Sequence, residues 1–89
     1  MKYEIIINKY GDKLYYVNNV LHREEGPALE FADGTKYWYK NGLIHRENGP
    51  AIKYFNGNTR WYLNSIYYSR NDDFTNKSWK SFVKTLIFS

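Results

Sequence analysis

The stretch Tyr16-Val17-Asn18-Asn19-Val20-Leu21-His22-Arg23-Glu24-Glu25-Gly26-Pro27-Ala28 returns 23 residues later as Tyr39-Lys40-Asn41-Gly42-Leu43-Ile44-His45-Arg46-Glu47-Asn48-Gly49-Pro50-Ala51. The flanks repeat with it: Phe31-Ala32-Asp33-Gly34 and Trp38 return as Tyr54-Phe55-Asn56-Gly57 and Trp61. A third copy opens as Tyr62-Leu63-Asn64-Ser65-Ile66-Tyr67-Tyr68 and then departs from the pattern. A partial copy precedes the first, with Tyr10-Gly11-Asp12-Lys13-Leu14-Tyr15 matching Asp33-Gly34-Thr35-Lys36-Tyr37-Trp38. Self-similarity at a fixed period marks a repeat architecture, and broken terminal units are how such arrays close their ends.

Each unit reads as two strands. Asp33-Gly34 and Asn56-Gly57 sit between aromatic-rich runs and predict tight type I′ hairpin turns. Asn41-Gly42, Asn18-Asn19 and Asn64-Ser65 mark a second bend one strand later. Gly26-Pro27 and Gly49-Pro50 mark a third, where Gly is expected in a conformation other residues avoid and Pro enters the next strand. The predicted strands are residues 3–8, 13–18, 28–31, 36–41, 51–55 and 59–64, an antiparallel meander of about six strands. The tail changes character. Ser69-Arg70-Asn71-Asp72 has the form of a capping box, with Asp72 and Asp73 in the first turn of a helix. Phe74, Ser78, Phe82 and Leu86, flanked by Trp79 and Val83, recur at helical spacing. This predicts one amphipathic helix over about 70–86, covering an end or face of the sheet, whose open edge needs protection. The expected fold is therefore mainly β, one domain of residues 1–89, with hairpin repeats in 1–68 and a capping helix and tail in 69–89.

Composition fits. The chain has 89 residues, 20% of them aromatic, and no Cys. So many aromatics suit half-buried strands rather than disorder. Without Cys there is neither a disulfide framework nor a Cys-based zinc site. No segment approaches the ~18 apolar residues of a membrane span, and Ile5-Ile6-Ile7 is too short for a signal-peptide core, so a cytoplasmic protein is expected. A net charge of +4 favours nucleic acid or an acidic protein surface only mildly.

The unit Trp-Tyr-x-Asn-Gly-x-x-His-Arg-x-x-Gly-Pro-Ala, followed by an aromatic and Asp-Gly, resembles repeats in small proteins of bacteriophages, giant viruses and some bacteria, which look like distant relatives of the MORN repeat. The resemblance spans residues 10–74 and is most specific from Trp38 through Trp61. It erodes in the third copy, where Tyr68 and Ser69 stand at the His-Arg positions and Asp72-Asp73 replaces Gly-Pro. It implies a hairpin-repeat scaffold that binds proteins or, in some cases, lipids, and it implies no reaction.

Two groups of residues compete for functional roles. His22-Arg23-Glu24 and His45-Arg46-Glu47 could form a repeated binding strip. Because they recur, they read first as packing devices that bond carbonyls at the bend and stack on the Trp or Tyr of the next unit. His22, Gly26, Pro27, Gly34, Trp38, His45, Gly49, Pro50, Gly57 and Trp61 are accordingly assigned to the repeat structure. Arg23, Lys36, Tyr37, Tyr39, Arg46, Arg60 and Tyr62 are candidates for binding, since aromatic and Arg patches are how interaction hot spots look. No nucleophile motif, phosphate loop or metal-ligand set is present, so no catalysis, cofactor or metal is expected. The expected function is a non-enzymatic module, phage- or mobile-element-derived, that binds and inhibits a host defence-related protein, acting in the host cytoplasm. The alternative is RNA or single-stranded DNA binding through a basic aromatic face, in an antitoxin-like role. Open sheet edges also allow a homodimer.

Overall fold

The computed structural model describes residues 2–70 and 73–88. Ten short strands and one helix follow in order: β1 (Glu4–Ile7), β2 (Lys13–Val17), β3 (Val20–Leu21), β4 (Leu29–Glu30), β5 (Lys36–Tyr37), β6 (Tyr39–Lys40), β7 (Leu43–Ile44), β8 (Ile52–Lys53), β9 (Thr59–Leu63), β10 (Ile66–Arg70) and α1 (Asn76–Phe88). The main sheet runs β1-β2-β4-β5-β8-β9-β10, with β3 also on β2, and β6-β7 form a separate ribbon. All pairings are antiparallel, so the meander expected from the repeat is what forms. Among the described residues no helix is long and apolar enough to cross a membrane.

The strand count exceeds the expected six because each unit's long strand serves two neighbours. At Trp38 the amide donates forward to the Ala51 carbonyl at 2.8 Å, while the carbonyl accepts from the His45 amide at 3.0 Å. The run expected as one strand over 36–41 is thereby split at Trp38 into β5 and β6. Tyr15 repeats the arrangement, with its amide on Ala28 and its carbonyl on His22. The second half of each long strand turns back through a hairpin with β3, β7 or β10, strands that propensity alone did not reveal.

Turn chemistry is also exchanged relative to expectation. The type I′ turns, with positive φ at both central residues, are Asn18-Asn19 (50° and 66°), Asn41-Gly42 (53° and 80°) and Asn64-Ser65 (49° and 64°). At Asp33-Gly34 and Asn56-Gly57 only the glycine has positive φ. There Phe31 and Thr35, and Tyr54 and Asn58, close three-residue loops, with the Gly34 and Gly57 amides bonded back to Phe31 and Tyr54. These are turns ending in a glycine bulge rather than two-residue turns. Each loop also clasps the next: Ala32 N–H donates to the Asp12 carboxylate and Phe55 N–H to the Thr35 hydroxyl.

The helix begins later than the Ser69 box suggests. Ser69 lies in β10, its hydroxyl donating to Asp73. Asp73 precedes the helix, whose first turn holds no acid, and Asp72 lies outside the described residues. The cap is Thr75. Its hydroxyl accepts from Ser78 N–H at 3.0 Å, and its own N–H donates to the Ser78 hydroxyl at 2.9 Å, a reciprocal box. Phe74, just before the cap, packs on Trp79 with ring centroids 4.9 Å apart, stapling the entry. Trp79 and Val83 are the buried centre of the helix face, and Phe82 is half-buried, while Ser78 and Leu86 of the expected stripe are exposed. With Trp61 and Leu63 of β9 they form the main hydrophobic cluster.

Candidate functional site

Pleating sends Trp38 to one face of the sheet and Tyr37 and Tyr39 to the other, and the contacts agree. On the Trp38 face, Arg46 lays its guanidinium over the indole, 4.0 Å from the ring centroid, and Arg23 lies 4.0 Å over Tyr15. The cation therefore stacks on the aromatic eight positions before it in its own unit, not on that of the next unit. Nη1 of each donates to a proline carbonyl at 3.1 Å, Pro27 or Pro50. Burial lowers the Arg46 guanidinium from its ordinary value, a penalty opposed by the π face and the carbonyl, both of which favour the cation.

Gly26 and Gly49 are explained by these arginines. Neither has positive φ, contrary to the expected special conformation. A Cβ at Gly49 would lie 2.7 Å from Arg46 Cζ, and one at Gly26 would lie 3.1 Å from Arg23 Cζ. The glycines make room for the guanidinium that lies beneath them.

His22 and His45 are buried and fully bonded. Nδ1 of His22 accepts from Asn41 N–H at 2.9 Å, and Nδ1 of His45 accepts from Asn64 N–H at 3.0 Å. A backbone amide can only donate, so Nδ1 carries the lone pair and Nε2 the proton. Nε2 donates to Glu24 in one unit and Glu47 in the other, each at 2.8 Å. The His22 bond and the nearby Lys40 ammonium, 3.5 Å away, lower the Glu24 carboxyl. With one nitrogen held by a backbone amide and the other by a carboxylate, each imidazole pins the bend of one unit to the hairpin of the next. Each of the hydrogen bonds named for one unit has a counterpart 23 residues on.

The opposite face carries phenols. Tyr37 stacks on Tyr39 (centroids 6.3 Å, planes 14° apart) and meets Tyr54 and Phe31 edge-on. Tyr62 packs on Tyr67 at 5.4 Å, and Arg60 lies 5.3 Å over Tyr54. Burial, then the neighbouring phenols Tyr54, Tyr39 and Tyr62, raise Tyr37, and burial raises Tyr39, so these rings stay neutral. Tyr37, Tyr39, Tyr54 and Tyr62 are half-buried and Tyr67 is 49% exposed. The helix packs on the other side, against Trp61, Leu63 and Tyr68.

The seven binding candidates thus divide. Tyr37, Tyr39, Arg60 and Tyr62 share the phenol face. Arg23 and Arg46 are locked into the aromatic stacks on the other. Lys36 stands opposite Glu30 and Lys53 on the neighbouring strands and reaches the Gly34 carbonyl only at 3.5 Å. Phe31, Tyr54 and Tyr67 belong to the phenol face and were not among the candidates. Phe31 and Tyr54 could have been found, since they stand 23 residues apart beside the bulge glycines. A groove of about 480 Å³ separates the two His-Arg loops and is bordered by Lys80 and Lys84 of α1, but Glu24, Glu25 and Glu47 share its lining, so its charge is mixed. Among the described residues no cluster of three His, Asp or Glu could hold a metal. Searches of protein-family models, characterised proteins and solved structures return no match to this chain.

Proposed function

We propose that this chain is a non-enzymatic binding module that seats a protein partner on its phenol face. The observation that supports this reading is the group Tyr37, Tyr39, Tyr54 and Tyr62, half-exposed on one face and left open by the helix, with Tyr37 stacked on Tyr39, Tyr54 edge-on to Tyr37 and Tyr62 packed on Tyr67. Tyrosine offers large contact area and a hydroxyl at little conformational cost, and aromatic and Arg anchors dominate interface energetics. The division of Arg23, Arg46 and Arg60 between two faces favours a protein surface over a phosphate backbone, which asks for one continuous basic strip. The phage-type, MORN-like resemblance of the repeat extends the reading to occlusion of a host protein.

The test is capture from host lysate by the wild-type domain and by a Tyr39→Ser, Tyr62→Ser double variant. The expected result is one protein retained stoichiometrically by wild type and at least tenfold less by the variant, with the melting temperature little changed. Retention equal in both, or no retained protein, overturns the reading. Retained nucleic acid that is released steeply as salt rises replaces it with the alternative.

A further inference from the structure

Strand β1 is the outermost strand of the sheet, with β2 as its one neighbour among the described residues. Its sequence, Glu4-Ile5-Ile6-Ile7, is exposed throughout, with Ile5 51%, Ile6 43% and Ile7 66% accessible. The opposite edge, β10, is blunted: a register shift interrupts it between Tyr67 and Ser69, Arg70 ends it, and Tyr68 turns to α1. β1 carries no proline and no bulge, and its one charge stands at the end. A flat apolar edge of this kind pairs with another strand unless something prevents it.

The register fixes which groups face outward. Asn8 N–H donates to the Asp12 carbonyl, and the ladder then places Ile6 opposite Leu14 and Glu4 opposite Tyr16. Bonded pairs alternate along an antiparallel ladder, so Glu4, Ile6 and Asn8 direct their backbone groups at β2. Tyr15, opposite Ile5, turns its amide away to Ala28. Ile5 and Ile7 therefore present their N–H and C=O groups to the open edge.

We infer that β1 pairs antiparallel with β1 of a second copy, about a two-fold axis at Ile6. In that register Ile5 of each copy stands opposite Ile7 of the other and exchanges two hydrogen bonds with it, four in all, which uses every outward group of both residues. Ile6 meets Ile6, and Glu4 meets Asn8, so no like charges are opposed. The three cross-strand pairs are all isoleucine, and β-branched pairs are favoured there. Shifting the register by two residues leaves a single Ile–Ile pair and sets Ile against Glu4 or Lys9. A second copy in this register thus complements the edge in both hydrogen bonds and side chains, and a shifted copy does not. The two sheets become continuous, and the phenol faces of both copies lie on the same side. The interface is short, well below the standard size, so association is weak and concentration-dependent.

Sedimentation equilibrium from about 10 µM to about 1 mM tests this in three variants beside the wild type, concentrations spanning the weak range of such interfaces. Wild type is expected to shift from monomer to dimer across the range. Ile7→Pro removes an outward amide that bonds nothing within the chain, a place where proline is tolerated, and should abolish the dimer at an unchanged melting temperature. Ile6→Lys sets two ammonium groups face to face and should abolish it too, while an equimolar mixture with Ile6→Glu restores association. A wild type that stays monomeric at 1 mM overturns the inference. So does a dimer whose strength is unchanged in folded Ile7→Pro and Ile6→Lys, or a mixture that fails to associate.

Discussion

The second and third repeats answer the same packing demand differently. In the second, Trp38 sits where the strand divides, and its open face is roofed by Arg46 at 4.0 Å. In the third, Trp61 occupies the same position, Ser69 stands where the arginine belongs, and the roof is Trp79 and Phe74, at 5.3 and 5.5 Å. A guanidinium can cover an aromatic while its polar edge bonds carbonyls and meets water, so it suits a unit with neighbours on both sides. Trp61, buried to 3% exposure, takes a further layer instead, which the helix brings through the fully buried Trp79. The two roofs meet: Trp79 Nε1–H donates to the Arg46 carbonyl at 2.8 Å. The end cap is thus keyed to the last His-Arg loop as well as to the last tryptophan.

Removing the apolar roof should cost most. Trp79→Ala is expected to destabilise the fold by about 3–5 kcal/mol, the usual range for a buried tryptophan, measured by urea unfolding. A loss under 1 kcal/mol would show that β9 and β10 do not depend on the helix. The cationic roof should cost less. Arg46→Ala is expected to lose about 2 kcal/mol, for its stack and its bond to Pro50, and Arg23→Ala less, because Arg23 stacks on a tyrosine rather than a tryptophan and Arg46 also donates to the Asn48 side chain. If melting temperature holds in both while partner binding falls, the arginines belong to a recognition surface and the comparison between roofs fails.

Smaller effects sharpen the boundary between the two regions. Thr75→Ala should lose about 1 kcal/mol, the usual worth of an N-cap, and Ser69→Ala less than half of that, since Ser69 is a strand residue beside the cap. The reverse order in thermal melts would move the helix start back to Ser69. The smallest expected effect is one of pH. Hydrogen bonding from His22 and the charge of Lys40 hold Glu24 below the ordinary 4.5, and Ala32 N–H and Asn8 hold Asp12 below its ordinary 3.8. A depressed carboxyl stabilises the fold above its ordinary value, and the contribution is lost as pH falls through the folded value. Melting temperature should therefore decline as pH drops below about 4.5, and less steeply in Glu24→Gln. Parallel profiles for the two proteins would remove Glu24 from the account.

Much of this was legible because the repeat prints the same solution twice. His22 and His45 recur where a packing device must recur, whereas Gly26 and Gly49, read as holding a special backbone conformation, recur because each makes room for an arginine. The split at Trp38 was not legible, because nothing local marks a residue whose amide and carbonyl serve different strands. The turns were misjudged because Asn-Gly and Asp-Gly satisfy a two-residue turn and a glycine bulge equally well, and loop length decides between them. Ser69-x-x-Asp72 misled because Thr75-x-x-Ser78, six residues on, makes the reciprocal bonds, with Phe74 and Trp79 as the staple. The alternation of Tyr37, Trp38 and Tyr39 showed two aromatic faces. Which of them the helix would cover depends on where β10 delivers the chain.

The 23-residue register of the hydrogen bonds has a genetic consequence. The amide of Arg23 reaches the Tyr39 carbonyl as that of Arg46 reaches the Tyr62 carbonyl, and the Ala28–Tyr37 bond is copied as Ala51–Arg60. Duplicating any 23-residue window inside this span would hand every new donor an acceptor already in place. A change of length by one whole unit in this span is therefore expected to leave both ends of the sheet intact, whereas a change by any other number of residues breaks the register.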